Sequence, residues 1–300
     1  MNDGEPANAP AKGTAVVAGA TGYAGGHVAG ALHDRGWTVR ALVRDPDRLG
    51  AAAASFDEVF VGQATRAETL TGLFDDADVA FSSIGIRTLR RRPSFMAVDY
   101  GANMNLVDAA ERAGVRRFVF ISVLGGETFR DRNPLIDARE RVADRLRSSR
   151  MQAVVVRPTG FFDDMDEIFE LARRGRVWLV GDGTTRVNPI HGADLADFVA
   201  DRLEDPDPVP ASSIGGPDAL TQREIAELAF SALGRPPRIS HASLRLLAAA
   251  SVAARPFSSN AAALIGMFAL LGEHDGVGEA IGTRRLVDHY AELADPHRTD

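Results

Sequence analysis

The chain has 300 residues, 45% of them hydrophobic and 25% charged, with a formal net charge of −7 and no cysteine. That length suits one large α/β unit. The composition excludes disulfides, thiolate metal sites and a cysteine nucleophile, and the acidic balance speaks against non-specific binding of nucleic acid. Met1 to Lys12 is polar and lacks a basic segment followed by an apolar core, so it reads as a disordered leader and not as a secretory signal. The longest apolar run, Ala261 to Leu271, is shorter than the roughly 20 residues a bilayer span needs, so neither a membrane partner nor any compartment other than the cytoplasm is expected.

The first element is an unalternating apolar run, Thr14 to Ala18, which predicts a strand buried on both faces of a parallel sheet. Gly19, Gly22 and Gly25 follow at equal spacing, with Thr21, Tyr23 and Ala24 between them, and a helical pattern opens through Val28 and Leu32. Strand, glycine turn and helix in that order form a phosphate-binding device. The first glycine permits the turn, the second lets a pyrophosphate approach, the third lets helix and strand pack closely, and the helix N-terminus offers unpaired N–H groups. The spacing is G-x-x-G-x-x-G instead of the more familiar G-x-G-x-x-G. Trp37 to Arg44 predicts the second strand. Arg44 at its end, with Arg40 on the same strand, favours the 2′-phosphate of NADP over NAD, although Asp45 follows at once and a solvated loop charge is the alternative.

Further strands are predicted at Asp57–Gly62, Asp78–Gly85 and Arg117–Ser122, and helices at Ala67–Phe74 and Val98–Gly114. Ser83, Ile84 and Gly85 are small enough to let the nicotinamide half of a dinucleotide lie close. Arg87, Arg90, Arg91 and Arg92 read as a solvated loop or as a flap over an anionic ligand. The regular alternation predicts a doubly wound parallel sheet, a Rossmann fold, with ligands beyond the carboxyl ends of its strands. Gly19, Arg44, Ser83 and Ser122 then share one edge. The last third changes character. Thr221 to Leu233 is a helix with a Thr221–Glu224 capping box. Leu244–Ala254 and Ala261–Leu271 predict an apolar helix pair, read either as the roof of a substrate cleft, as a dimer interface or as core packing. The expected division is 13–155 as the dinucleotide-binding unit and 156–300 as a mostly helical substrate-binding part interleaved with the sheet.

Several motifs in order carry a resemblance. Gly19-Ala20-Thr21-Gly22-Tyr23-Ala24-Gly25, Asp99-Tyr100-Gly101-Ala102-Asn103, Gly114 to Val119, Val156 to Phe162, Asn188 to Ala196 and Gly215 to Thr221 resemble the atypical or extended short-chain dehydrogenase/reductases, in their NmrA-like NAD(P)H-binding branch. The resemblance spans about Thr14 to Leu233. It implies a nicotinamide cofactor, NADP(H) by preference and NAD(H) as the other option, held by the glycine turn, Arg44, Ser83 to Gly85, Ser122, Arg139, Pro158, Gly160 and Phe161. It also implies a Tyr-x-x-x-Lys dyad in the helix after the fifth strand, and here those positions are Leu135 and Arg139. Leucine transfers no proton, and arginine holds a ribose or phosphate without acting as a base.

Ser122, Asp163 and Arg139 are the candidates for catalysis. Asp163, Asp164 and Asp166 read either as a carboxylate cluster with a raised pKa or as the acidic first turn of a helix from Met165 to Arg173. His191 reads as structural, at the start of a helix capped by Asp194. No pair of histidines has metal-ligand spacing. The expected activity is hydride transfer to or from a small hydrophobic carbonyl or enone substrate, in a monomer or homodimer. A redox sensor that binds the cofactor without chemistry and a nicotinamide-dependent dehydratase or epimerase are the alternatives.

Overall fold

The structure, a computed structural model, describes residues 12–86, 90 and 92–295. The expected leader before Lys12, and Arg87 and Arg91 of the basic segment, lie outside the described residues.

In chain order the elements begin with β1 (Thr14–Ala18), α1 (Tyr23–Asp34), β2 (Thr38–Val43), β3 (Glu58–Val61), β4 (Ala77–Ser82), α2 (Asn103–Ala113), β5 (Arg117–Ile121), α3 (Gly126–Phe129), α4 (Pro134–Arg147) and β6 (Gln152–Pro158). The second half adds α5 (Phe162–Arg173), β7 (Val177–Val180), β8 (Arg186–Val187), α6 (Gly192–Glu204), β9 (Ala211–Gly215), β10 (Leu220–Thr221) and α7 (Gln222–Ala232). It closes with β11 (Ile239–Ala242), α8 (Leu244–Ala254), α9 (Ser259–Glu273), β12 (Glu279–Ala280) and α10 (Leu286–Ala294).

Eight strands form one sheet in the order β12-β9-β6-β5-β4-β1-β2-β3, and every pairing in it is parallel. The order reverses at β1, where Val17 lies between Ala41 of β2 and Phe81 of β4. Unalternating apolar strands are what a sheet covered on both faces requires. One face is covered by α1 and α6, through Val28, Leu32, Leu195, Val199 and Leu203. The other is covered by α2 and α4, through Leu106, Val107, Val142 and Leu146. A third core joins α5, α7 and α10 around Phe162, Phe169, Phe230 and Tyr290. The expected doubly wound architecture with a smaller, mostly helical C-terminal part is present.

Four local expectations need correction. The helix expected at Ala67–Phe74 is a single 3-10 turn, Ala67–Leu70. The helix expected from Val98 begins as a wide π-helical stretch, Met96–Ala102, before α2. The 155/156 division falls inside β6, whose seven residues continue to Pro158. The sheet also gains β9 and β12 from the last third of the chain, which composition alone had marked as helical and loop-like.

Candidate functional site

The site grows from the carboxyl ends of β1, β2, β4, β5 and β6. Gly19 leaves β1 with φ +92, a left-handed conformation that glycine adopts at no steric cost. A Cβ there would stand 2.6 Å from Ser83 Oγ. Gly22 donates its N–H to the Gly19 carbonyl at 2.9 Å and stands at the N-cap of α1. A Cβ on Gly25 would collide with that same carbonyl oxygen, so α1 sits against β1 only because position 25 has no side chain. No side chain caps α1, and no acidic residue occupies its first turn. The N–H groups of Tyr23, Ala24 and Gly25 therefore have no intrahelical acceptor and aim, with the positive end of the helix dipole, past the end of β1. This cradle fits a pyrophosphate.

Arg44 follows β2 directly and is exposed. Arg40 does not join it. Its guanidinium pairs with Glu58 and donates to the carbonyls of Leu73 and Asp75, so of the two only Arg44 stands exposed at the carboxyl end of β2. Beyond β4, Ser83 donates its N–H to Ala18 at 3.1 Å and locks the strand end to β1. Asn103 accepts from Ser82 Oγ at 2.7 Å and donates to the Ile84 carbonyl at 3.1 Å, which fixes the path of Ile84 and Gly85. A Cβ on Gly85 would strike the Arg139 guanidinium.

Arg139 is thus brought to the edge, but its charge is engaged. Its Nε and Nη2 bind Asp99 at 2.9 and 2.8 Å, and Nη1 donates to the Ile121 carbonyl at 3.2 Å. Asp99 is fully buried and also accepts the Ile86 N–H at 3.1 Å. Burial lifts its carboxyl above the usual value, while Arg139 pulls the other way. Ser122, just past β5, is buried and donates its hydroxyl to Glu140 at 2.7 Å. Glu140 is fully buried and held in a two-point ion pair by Arg157 at 2.7 and 3.2 Å, and Glu127 meets the same guanidinium at 3.1 Å. Sequence reasoning passed over Glu140 and Arg157. The available signal was a lone arginine in the apolar strand Val154-Val155-Val156-Arg157, since a charge so placed needs a buried partner.

Leu135 is 3% exposed and packs with Ile86, Phe95 and Ala138 under Ala263 and Leu264 of α9. The apolar roof expected from the C-terminal helices therefore closes over this position. Asn133 caps α4 through Leu135 N–H and donates to the Ala263 carbonyl, which ties α4 to α9.

Past β6, Pro158 is buried and Gly160 has φ +146. Phe161 bridges to Ile190 and serves as the N-cap of α5. Asp164 accepts the Phe161 N–H at 3.0 Å, and Asp166 meets His289 Nε2 at 2.6 Å, so these two act in the first turn of α5 and between helices. Asp163 lies in the same first turn, where its charge adds to the burial that raises the Tyr23 pKa and opposes the burial and the Arg284 charge that together lower the His27 pKa. The Tyr23 phenol accepts the Gly192 N–H at 2.8 Å, 5.9 Å from the Phe161 ring, and burial pushes it up to about 12. His191 corrects an assignment. It is the N-cap of α6, accepting the Ala193 N–H at its Nδ1, while Asp194 turns away to bind Arg284 and the Thr283 N–H. His27, His191 and His289 gather here, with ring centroids 5.4 and 6.2 Å apart along the series. Among the described residues no cluster is placed to hold a metal ion.

A family model described as NAD(P)H-binding matches residues 19–206. A divinyl chlorophyllide a 8-vinyl-reductase from Zea mays is 31% identical over 257 residues, covering 78% of this chain and 63% of its own length. A 3 beta-hydroxysteroid dehydrogenase/Delta 5-->4-isomerase from Mycobacterium tuberculosis H37Rv is 32% identical over 224 residues, covering 61% and 60%. The chain thus spans about three fifths of the length of these relatives. Among solved structures, the NADPH-dependent quinone oxidoreductase QOR2 of Escherichia coli, complexed with NADPH, superposes with a TM-score of 0.66 at 20% identity, over 94% of this chain and all of its own.

Proposed function

The chain belongs to the NAD(P)H-binding family, in its NmrA-like, atypical short-chain dehydrogenase/reductase branch, and from that premise we propose that it is an NADP(H)-dependent reductase of a hydrophobic enone or carbonyl compound. The observation that carries the reading is the uncapped first turn of α1, set against β1 by Gly19 and Gly25 at the point where the strand order reverses. In this reading the N–H groups of Tyr23, Ala24 and Gly25 hold a pyrophosphate, and Arg44 meets a 2′-phosphate. Ser83, Ile84, Gly85, Pro158, Gly160 and Phe161 line the nicotinamide end. The bound nicotinamide supplies or accepts the hydride.

The chain's own residues do the rest. Leu135, Ile86 and the α9 roof favour an apolar substrate. The activities by which two relatives are named, a vinyl reductase and a steroid dehydrogenase/isomerase, agree with such a substrate class. Arg139 orients the Gly85 turn through Asp99. The Ser122 proton is committed to Glu140, so Ser122 holds position and does not act as an acid. With leucine at position 135, the proton that completes reduction is drawn from water. Reduction of a conjugated double bond tolerates this best, because protonation at carbon follows hydride addition and needs no side-chain acid aligned on a carbonyl oxygen. The same leucine also favours a second reading, a cofactor-binding sensor without turnover.

Calorimetric titration with NADPH and NADH tests the reading on the wild type, Arg44→Ala and Gly25→Ala. NADPH binds the tighter. Arg44→Ala weakens NADPH about tenfold, the loss of one charge–phosphate contact worth about 1.4 kcal/mol, and leaves NADH unchanged. Gly25→Ala weakens both. Absence of binding, or NADH binding the tighter, defeats the assignment. Sustained NADPH consumption with a panel of enones separates the reductase from the sensor.

A further inference from the structure

The α8–α9 hairpin presents an apolar surface that the cofactor site does not use. Of the eleven residues of α8, Ser251 alone is buried, and its hydroxyl donates to the Ala262 carbonyl of α9. The face of α8 turned away from α9 carries Leu246, 69% exposed, and Val252, 57% exposed, among exposed alanines. Phe257, in the turn between the helices, is 78% exposed, and Phe268 of α9 is 52% exposed. Large apolar side chains grouped in this way mark an interaction surface.

The charge of this surface is mostly of one sign. From Leu228 to Gly272 the sequence contains no aspartate or glutamate, Arg245 and Arg255 are the cations of the hairpin, and its one acid, Glu273 at the last position of α9, is paired with Arg132. From Val79 to Val98 there is again no acid, while Arg90 and the exposed Arg92 fall there. The fold joins the two stretches. Asn260, fully buried at the start of α9, accepts the Phe95 N–H at 2.9 Å and donates to the carbonyls of Arg90 and Pro93 at 2.6 and 2.8 Å. An apolar hairpin and an arginine-bearing loop are therefore pinned to each other in a molecule whose formal net charge is −7.

We propose that this hairpin and loop are a docking surface for an anionic lipid bilayer, with Leu246, Val252, Phe257 and Phe268 entering the headgroup–acyl boundary and the arginines meeting lipid phosphates. Apolar side chains edged by arginine are what such binding requires. A second copy of the chain fits less well, because a two-fold contact would bring the cations of the two hairpins together with no acid between Leu228 and Gly272 to answer them. The expectation of no membrane partner rested on the length of the apolar runs. Among the described residues no helix is long and apolar enough to cross a membrane, and binding to one leaflet needs no crossing. The hairpin also roofs Leu135, so the lipid-facing surface lies next to the apolar end of the proposed cleft.

Flotation of the purified full chain tests this, with vesicles of phosphatidylcholine alone and of phosphatidylglycerol mixed with phosphatidylcholine. The wild type floats with the mixed vesicles at low salt, and the floated fraction falls when salt is raised. Phe257→Ser/Phe268→Ser and Arg245→Glu/Arg255→Glu each lower apparent vesicle affinity about tenfold without changing the melting temperature. No flotation with either vesicle overturns the proposal, as does flotation that neither salt nor either variant reduces. A dimer by light scattering that the phenylalanine variant turns into a monomer, with no flotation, assigns the surface to a second copy and also overturns it. The readout needs neither cofactor nor turnover, so its outcome is independent of the proposed activity.

Discussion

His191 accepts the Ala193 N–H through Nδ1, so the ring must stay neutral at that nitrogen to cap α6. Burial lowers its pKa from 6.5 to about 4, and the neighbouring His27, Arg284 and His289 push the same way against Asp194. His27 is lowered as well, first by burial and then by Arg284. The unfolded chain takes up protons near pH 6.5 while the folded rings resist, so this contribution to stability is complete above that pH and is lost as pH falls toward 4. Thermal melts at pH 7 and pH 4.5 check this. The wild type loses stability between the two, and His191→Asn, which keeps a good cap and removes the titration, loses less. An identical loss in the two proteins rules His191 out as a source. At this scale the glycines were legible, because Gly19 and Gly25 answer a backbone requirement that no other residue meets. The place of Arg44 just past β2 was legible from the end of the apolar run. The pairing of Arg157 with Glu140, 17 residues apart, and of Arg139 with Asp99, 40 residues apart, was not, because only the folded sheet edge brings those charges together.

Elements announce themselves where local chemistry decides them. The α7 capping box is present as the sequence predicts, with Thr221 N–H and Oγ1 both bound to Glu224 and Thr221 Oγ1 accepting the Glu224 N–H. The Ala67–Phe74 helix failed because a single apolar spacing over eight residues does not offset the cost of starting a helix. β9 and β12 were unreadable for the opposite reason. Ala-Ser-Ser-Ile-Gly and Glu-Ala have little strand character and are held by pairing with β6 and with each other. The α9 helix depends on a polar anchor that its apolar sequence obscures. Replacing Asn260 by alanine removes three hydrogen bonds at a fully buried position, a cost of about 2–3 kcal/mol. Hydrogen exchange checks it. Amides from 92 to 98 and the first turns of α9 exchange faster in Asn260→Ala, while β1, β4 and β5 are unchanged. Protection lost evenly across the sheet places the anchor in the global core instead.

For the whole molecule, the chain's second half completes a sheet begun by the first. Val156, Ile190, Leu195, Val199, Leu203 and Ile214 share one core with Val17, Val28 and Leu32. The α1 face of the sheet is covered by α6, which lies after residue 155, so a fragment of residues 12–155 leaves apolar strand surface open and ends within β6. Such a fragment shows no cooperative unfolding transition by circular dichroism, whereas the full chain does. A cooperative transition in the fragment establishes it as an independent domain. The sequence conveys the class of fold through its regular alternation of strand and helix. The way the last third joins the sheet was hidden, because long-range parallel pairing leaves no local signature.

The wide turn at Met96–Ala102 makes chain length there a matter of azimuth. Each residue in a regular helix advances its neighbour by about 100°. Asp99 lies inside that stretch, and its bond to Arg139 beneath Gly85 exists at one rotational setting relative to α2. Deleting one residue between Tyr100 and Ala102 would tighten the turn into an ordinary helix and swing the carboxylate to a different face. Arg139 would then be freed beside the Gly85 turn. An indel of one residue, with every side chain of the edge itself unaltered, would convert a guanidinium that supports the Gly85 turn into one released from its buried carboxylate.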